Sequence, residues 1–303
     1  MEISVIIVNW NTKKLLENCL RSIFRFTKGI TFEVIVVDNG STDGSVQMVK
    51  NKFPQVKLIP NSKNLGFTKA NNQGIKAARG KYILLLNSDT YLIENSFKKL
   101  IEEANKLKNL GALGPKLLNE DRSIQQSAGF FPYLPQILWW MTFIDDLPGG
   151  SFLNPYHIDH DAFYKSDHEV DWVTAAAILV SKKIIPQVGG LDEKIFMYGE
   201  EVEWCHRIKK AGYKVYFSPS TQIVHIGRGS SGKISQNAIL GEYRGIVYFY
   251  QKHKGKVSLQ IARLLLKIGA LARIIVFGLL GLVCRQAGRK ELTKSYAEAF
   301  KMV

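Results

Sequence analysis

The chain has 303 residues, 46% of them apolar, which is enough for a sizeable core and allows one large domain plus an appendage. Its formal charge of +15 is unevenly placed: residues 252–303 hold eleven Lys or Arg against two Glu, so the body before them is only modestly basic. Cys19, Cys205 and Cys284 lie far apart with no metal-type spacing, which suits reduced thiols in a cytoplasmic protein, and the opening Met1-Glu2-Ile3 has none of the regions of an export signal.

In chain order, residues 3–8 form an apolar β-rich run, 12–26 have helical spacing, and 32–37 are again continuously apolar. Residues 56–59 and 82–86 read as further short buried strands with a helix over 68–78 between them. Strands apolar on both faces imply a parallel sheet covered by helices, an α/β fold. Periodicity fades over 119–170, a stretch rich in aromatics, Pro and Gly that reads as a binding loop or lid. Regular structure resumes at 172–180, followed by a helix from about Glu200 to Gly212, a strand over 214–217 and basic helices over the last sixty or so residues.

Ligands of open α/β sheets bind beyond the carboxyl ends of the strands, so Asn9, Asp38 and Asn87-Ser88-Asp89 are the first candidates. Asp38 precedes the turn Asn39-Gly40-Ser41-Thr42-Asp43-Gly44; it can accept hydrogen bonds from a ribose or base, or serve merely as the turn's side-chain partner. Asn87-Ser88-Asp89 offers oxygens to a hard cation such as Mg2+ or Mn2+, the alternative being a helix cap before Glu94. Glu200, Glu201 and Glu203 crowd a helix start behind Phe196-Met197-Tyr198-Gly199; they can complement the helix dipole, or one desolvated carboxylate can act as a base. His225, before Gly227-Arg228-Gly229, can be a structural histidine or, with Gly and Arg suited to phosphate beside it, a second metal ligand, which is the reading taken.

Taken in order, the segments VIIVNWN, VVDNGSTDGS, NLGFTKANNQG, LLLNSDT, VTAAAILV, GGLDEKIFMYGEEVEWCHR and HIGRGSSG resemble the family 2 glycosyltransferases of the GT-A fold, over about residues 3–232. Within that family the sequence looks most like bacterial rhamnosyltransferase-type members of polysaccharide assembly. The resemblance implies a Rossmann-like, mostly parallel sheet and a nucleotide pocket of Val8, Asn9, Asp38, Asn64, Gly66 and Asn71, with Asn87, Ser88 and Arg228 also on the donor. It implies Mg2+ or Mn2+ at Asp89 and His225. Asn87 stands where the family's Asp-x-Asp motif begins with Asp, which weakens metal binding through that position. The family's Glu-Asp pair reads Glu200-Glu201 here, making Glu201 the expected base and leaving Glu200 as the alternative. The implied reaction is an inverting transfer of a sugar from a nucleoside-diphosphate donor, with dTDP-rhamnose as the first guess. The implied acceptor is a hydroxyl of a lipid-linked or polysaccharide glycan in cell-envelope assembly.

These readings divide the chain into a catalytic domain over 1–235, containing the 119–170 insertion, and a basic helical region over 236–303. The tail is apolar from Leu264 to Cys284 but is interrupted by Lys267 and Arg273, leaving 274–284 too short for a clean bilayer crossing. With Lys252, Lys254, Lys256, Arg263, Arg285, Arg289 and Lys290 around it, it suits a helix lying in an anionic leaflet, so the expected location is peripheral at the inner face of the cell membrane. A processive polysaccharide synthase would show a Gln-x-x-Arg-Trp signature, whereas Gln260–Arg263 is followed by Leu264. A non-enzymatic membrane or nucleic-acid module leaves the strand-end carboxylates unexplained, and no nucleic-acid partner is expected.

Overall fold

The computed structural model describes residues 1–145, 147, 153–227, 236–284 and 287–303. In chain order the strands are β1 (Ile3–Asn9), β2 (Phe32–Asp38), β3 (Lys57–Pro60), β4 (Tyr82–Asn87), β5 (Thr90–Leu92), β6 (Leu110–Leu118), β7 (Ile124–Gln125), β8 (Ala128–Gly129), β9 (His168–Val170), β10 (Trp172–Val173), β11 (Ala177–Ser181) and β12 (Lys214–His225). The helices are α1 (Lys13–Phe26), α2 (Ser45–Lys52), α3 (Phe67–Ala77), α4 (Ser96–Lys106), α5 (Leu134–Thr142), α6 (Ile185–Val188), α7 (Glu200–Lys210), α8 (Gln236–His253), α9 (Lys256–Cys284) and α10 (Ala287–Met302). They fall into two compact units, Met1–Ala128 with Asp159–Ser230, and Gly129–Ile158 with Ser231–Val303. The middle of the 119–170 segment is thus grouped with the C-terminal helices.

The first unit is built on one large sheet in the order β3-β2-β1-β4-β11-β6-β12-β5, with β7 paired to β6 and β9 to β12. Strands β3, β2, β1 and β4 are mutually parallel, as the continuous apolar runs predict, and β12 is parallel to β6. Strand β11 runs antiparallel to both its neighbours, so the sheet is mixed. Both faces are covered: Ile3, Val5 and Ile7 join one core cluster with Leu16, Leu20 and Ile23 of α1, while Ile6 on the opposite face is equally buried. A Cβ on Gly74 of α3 would lie 2.3 Å from Ile6, so that helix can approach the sheet only because a glycine faces it. Truncating one of these buried aliphatics to Ala would cost about 2–5 kcal/mol.

Register places the functional edge. Asn9 pairs with Asp38, Val8 with both Val37 and Asn87, and His225 with Thr90. The chain winds outward from β1 through β2 to β3 and returns beyond β1 to β4, so the order reverses between β1 and β4 and opens a crevice at their carboxyl ends. Strand β12 is far longer than the expected 214–217. Its register against β6 shifts between Ser218 and Gln222, around Pro219, which has no N–H for the ladder. Glu94 Oε1 accepts from the Thr221 hydroxyl at 2.7 Å and the Gln222 amide at 2.9 Å, satisfying donors the bulge would otherwise leave bare.

In the second unit, α5 is almost wholly apolar and packs on α9. Arg273 of α9, only 5% exposed, donates to the carbonyls of Trp140 at 2.6 Å and Met141 at 3.1 Å in the last turn of α5. The rings of Phe143, Trp140 and Tyr296 stand 4.5, 5.4 and 5.7 Å from its guanidinium carbon. This charge, which interrupts an apolar run in the sequence, is therefore turned inward, where helix-end carbonyls and ring faces compensate it. Among the described residues no helix is long and apolar enough to cross a membrane.

Candidate active site

The crevice between β1 and β4 is lined by a closed polar network. Asn9, fully buried, donates from Nδ2 to Asp38 Oδ2 at 2.8 Å and to Ser41 Oγ at 3.1 Å, while its Oδ1 accepts from the Thr12 hydroxyl at 2.7 Å. Thr12 and Ser88 hydroxyls meet at 3.0 Å across the crevice. Asp38 Oδ1 accepts from the Ser41 amide at 2.8 Å, so Asp38 does organise its own turn, and any contact to a nucleoside must use its remaining lone pairs. Burial pushes the Asp43 carboxyl up, but hydrogen bonds from the Ser45 hydroxyl and the Lys13 and Ser45 amides outweigh it and hold the group below its ordinary range.

Asn39, the residue after Asp38, is the hub for the far wall. Its Nδ2 donates to Asn64 Oδ1 at 3.2 Å and to the Gly66 carbonyl at 3.1 Å, and its Oδ1 accepts from Asn61 Nδ2 at 3.1 Å. Asn64 Oδ1 also accepts from the Gly66 amide at 2.9 Å. Gly66 has φ +91° and a Cβ there would lie 2.7 Å from the Phe196 ring, so both conformation and space demand glycine. Asn71 is buried and donates to the Phe67 carbonyl within its own helix, while Val8 stands half-buried in β1. The Phe67 amide donates to the Phe196 carbonyl and the Thr68 hydroxyl to that of Ile195. The loop before α7 is thereby tied to the Gly66 turn.

A second cluster lies at the ends of β4 and β12. Asp89 Oδ1 is 3.3 Å from His225 Nε2, and Asn87 Nδ2 is 3.4 Å from the same nitrogen; the Asp89 and His225 side chains are 14% and 15% exposed. A strand, β5, follows Asp89 rather than a helix, so the tripeptide is no helix cap. Its fold is fixed by the Ile226 amide donating to the Asp89 carbonyl and by the Asn87 amide donating to the Ala176 carbonyl, both at 2.9 Å. Residues 174–176 thus sit against the same cluster. Among the described residues no group of three or more His, Cys, Asp or Glu could hold a metal. One carboxylate and one imidazole fit Mg2+ or Mn2+ of the kind that completes its shell with phosphate oxygens and water. The sequence reading missed Gln125, whose Oε1 lies 2.6 Å from His225 Nδ1. Arg228 lies outside the described residues.

Glutamates 200 and 201 open α7 after two consecutive left-handed residues, Tyr198 at φ +74° and Gly199 at φ +84°. Such strain in a non-glycine residue marks a loop held in place by its surroundings. Glu200 is 4% exposed with one carboxylate oxygen buried and unpartnered, and burial, reinforced by the charge of Glu201, pushes its pKa well up. Glu201 is half-buried. Both carboxylates have a buried oxygen, and the deeper burial of the whole residue falls on Glu200.

Residues 4–139 match the Glycosyl transferase family 2 model. Over 264 residues the chain is 28% identical to the N-acetylglucosaminyl-diphospho-decaprenol L-rhamnosyltransferase of Mycobacterium tuberculosis, covering 83% of this chain and 85% of that one. Similar solved structures include the mannosyltransferase PcManGT from Pyrobaculum calidifontis in complex with GDP-Man and Mn2+, at a TM-score of 0.61 and 15% identity, over 99% of this chain and 86% of that one. GalNAc-T7 with UDP, GalNAc and Mn2+ aligns at 0.60 and 16% identity, over 82% and 50%. Over residues 4–139 the sequence is thus similar to the family 2 glycosyltransferases, and the fold is the GT-A fold.

Proposed function

We propose that this glycosyltransferase moves a sugar from a nucleoside-diphosphate donor to a glycan hydroxyl with inversion at the anomeric carbon. The observation that carries the reading is the meeting of Asp89, His225 and Asn87 beside the switch-point crevice. The mycobacterial relative supports dTDP-rhamnose as the first donor to try and a lipid-linked glycan as the acceptor.

In this reading Asn9, Asp38, Asn64, Gly66 and Asn71 shape the nucleoside side, and Asn87 and Ser88 face the diphosphate. Asp89 and His225 hold Mg2+ or Mn2+, which when bound offsets the charge of the leaving diphosphate. Glu201 takes the proton of the acceptor hydroxyl as that oxygen bonds to the anomeric carbon. The bond to the diphosphate oxygen breaks on the opposite face and its electron pair leaves with the nucleoside diphosphate. Glu200, more deeply buried and with its pKa pushed up by that burial and by the charge of Glu201, is the alternative base.

Glu201→Gln should lower turnover about 100- to 10,000-fold with donor affinity retained. Glu200→Gln should stay active. The reverse pattern in parallel kinetics would make Glu200 the base, and two active variants would remove both.

The membrane part of the reading now rests on α9. Between residues 257 and 279 its exposed positions, apart from Gln260, are all aliphatic: Val257, Ile261, Leu264, Ile268, Leu271, Ile275, Val276 and Leu279. The helix contains no acidic residue. An aliphatic stripe with a basic surround suits an anionic bilayer surface, where the acceptor's lipid would also lie. Replacing Leu264 and Leu271 together by Glu should leave the protein folded but abolish its sedimentation with phosphatidylglycerol vesicles. Unchanged sedimentation of the folded variant would reject this contact.

A further inference from the structure

Resting on the metal-dependent reading above, we infer that Gln125 is a positioning residue that sets the tautomer of His225 and so turns a bare Nε2 toward Asp89. Gln125 lies in β7, one hundred residues before His225. Its Nε2 donates to the His225 carbonyl at 3.1 Å and to Asn119 Oδ1 at 2.8 Å, while its Oε1 faces His225 Nδ1 at 2.6 Å.

The orientation of that amide follows from groups whose roles are not interchangeable. A backbone carbonyl can only accept, so the His225 carbonyl requires the amino end of Gln125. Asn119 supplies a second, separate check: its Nδ2 donates to the Ile124 carbonyl at 3.3 Å and to Ser123 Oγ at 2.9 Å, which leaves its Oδ1 for Gln125. Flipping Gln125 would set its oxygen against both acceptors. Its Oε1 must therefore face His225, and an oxygen that can only accept requires a proton on Nδ1.

With the imidazole neutral, Nε2 then carries a lone pair. It faces Asp89 Oδ1 at 3.3 Å. Two lone-pair atoms at that separation suit a cation drawn to both, and the Asn87 amide at 3.4 Å is the donor that can satisfy Nε2 meanwhile. An outer partner that fixes a ligating histidine in this way is worth roughly 10- to 100-fold in metal affinity.

The test uses the intact protein labelled with 15N-histidine. In the metal-free wild type at about pH 8.5, where an ordinary imidazole is neutral, His225 should appear protonated on Nδ1. Gln125→Leu should lose that preference. Titrated Mn2+ should broaden the His225 resonance in the wild type, and in Gln125→Leu only at roughly 10- to 100-fold more. If Gln125→Leu keeps both the tautomer and the Mn2+ response while Asp89→Ala loses the response, the metal reading stands and the role of Gln125 is overturned. If wild type and Asp89→Ala respond alike to Mn2+, the metal reading itself falls and takes the inference with it.

Discussion

The turn after β2, the end of β4 and the start of α7 carry similar residue types, yet they are completed differently. Around Asp38 and Asn39 amides and carboxylates are paired with donors or acceptors of the protein itself. At the end of β4 the Asp89 carboxylate faces an imidazole nitrogen, and at the start of α7 Glu200 carries a buried oxygen with no partner next to a second glutamate. The first arrangement is satisfied before any ligand arrives and can hold a rigid wall. The others bring a carboxylate against an imidazole and two glutamates next to each other, groups whose charge and protons can respond to a cation or a substrate.

A pair of substitutions sharpens that contrast. In the turn after β2, Asn39→Ala removes one of the two acceptors of Asn61 Nδ2, which keeps Gln73 Oε1, and the acceptor of the Leu65 amide, and should destabilise the protein by about 1–3 kcal/mol in urea unfolding. Its absence would mean the 61–66 loop is held by something else. At the start of α7 the smaller effect has the opposite sign. Glu200 has a folded pKa raised above 4.5, so the folded state binds more protons than the unfolded state and stability falls as pH rises through that raised value. Glu200→Gln removes the liability, and its Tm advantage over the wild type should grow as pH rises above 4.5. Parallel Tm profiles would contradict the burial argument.

How much of this was legible in sequence depended on how local each interaction is. The apolar runs of β1, β2 and β4 and the candidates at their ends stood out because burial on both faces leaves continuous Val, Ile and Leu. The reversal of β11 did not, since an apolar strand reads the same in either direction. The far half of β12 was hidden because Ser218-Pro219-Ser220 reads as a turn, and only Glu94 and the β6 ladder make it a bulge. Gln125 was invisible for a related reason: it sits in a two-residue strand within an aperiodic stretch, and its partner is a hundred residues away. Which of the two glutamates is more deeply buried likewise depended on the packing around α7, which adjacent identical residues cannot reveal.

The most direct measurement of the central claim supplies the intact protein with a panel of nucleoside-diphosphate sugars, Mn2+ and a lipid-linked glycan acceptor, and follows nucleoside diphosphate release and the anomeric configuration of the product by NMR. The account predicts acceptor-dependent release from one donor, inversion at the anomeric carbon, loss of turnover on chelation and recovery on returning Mn2+. A retained configuration, or turnover indifferent to chelation, would contradict it.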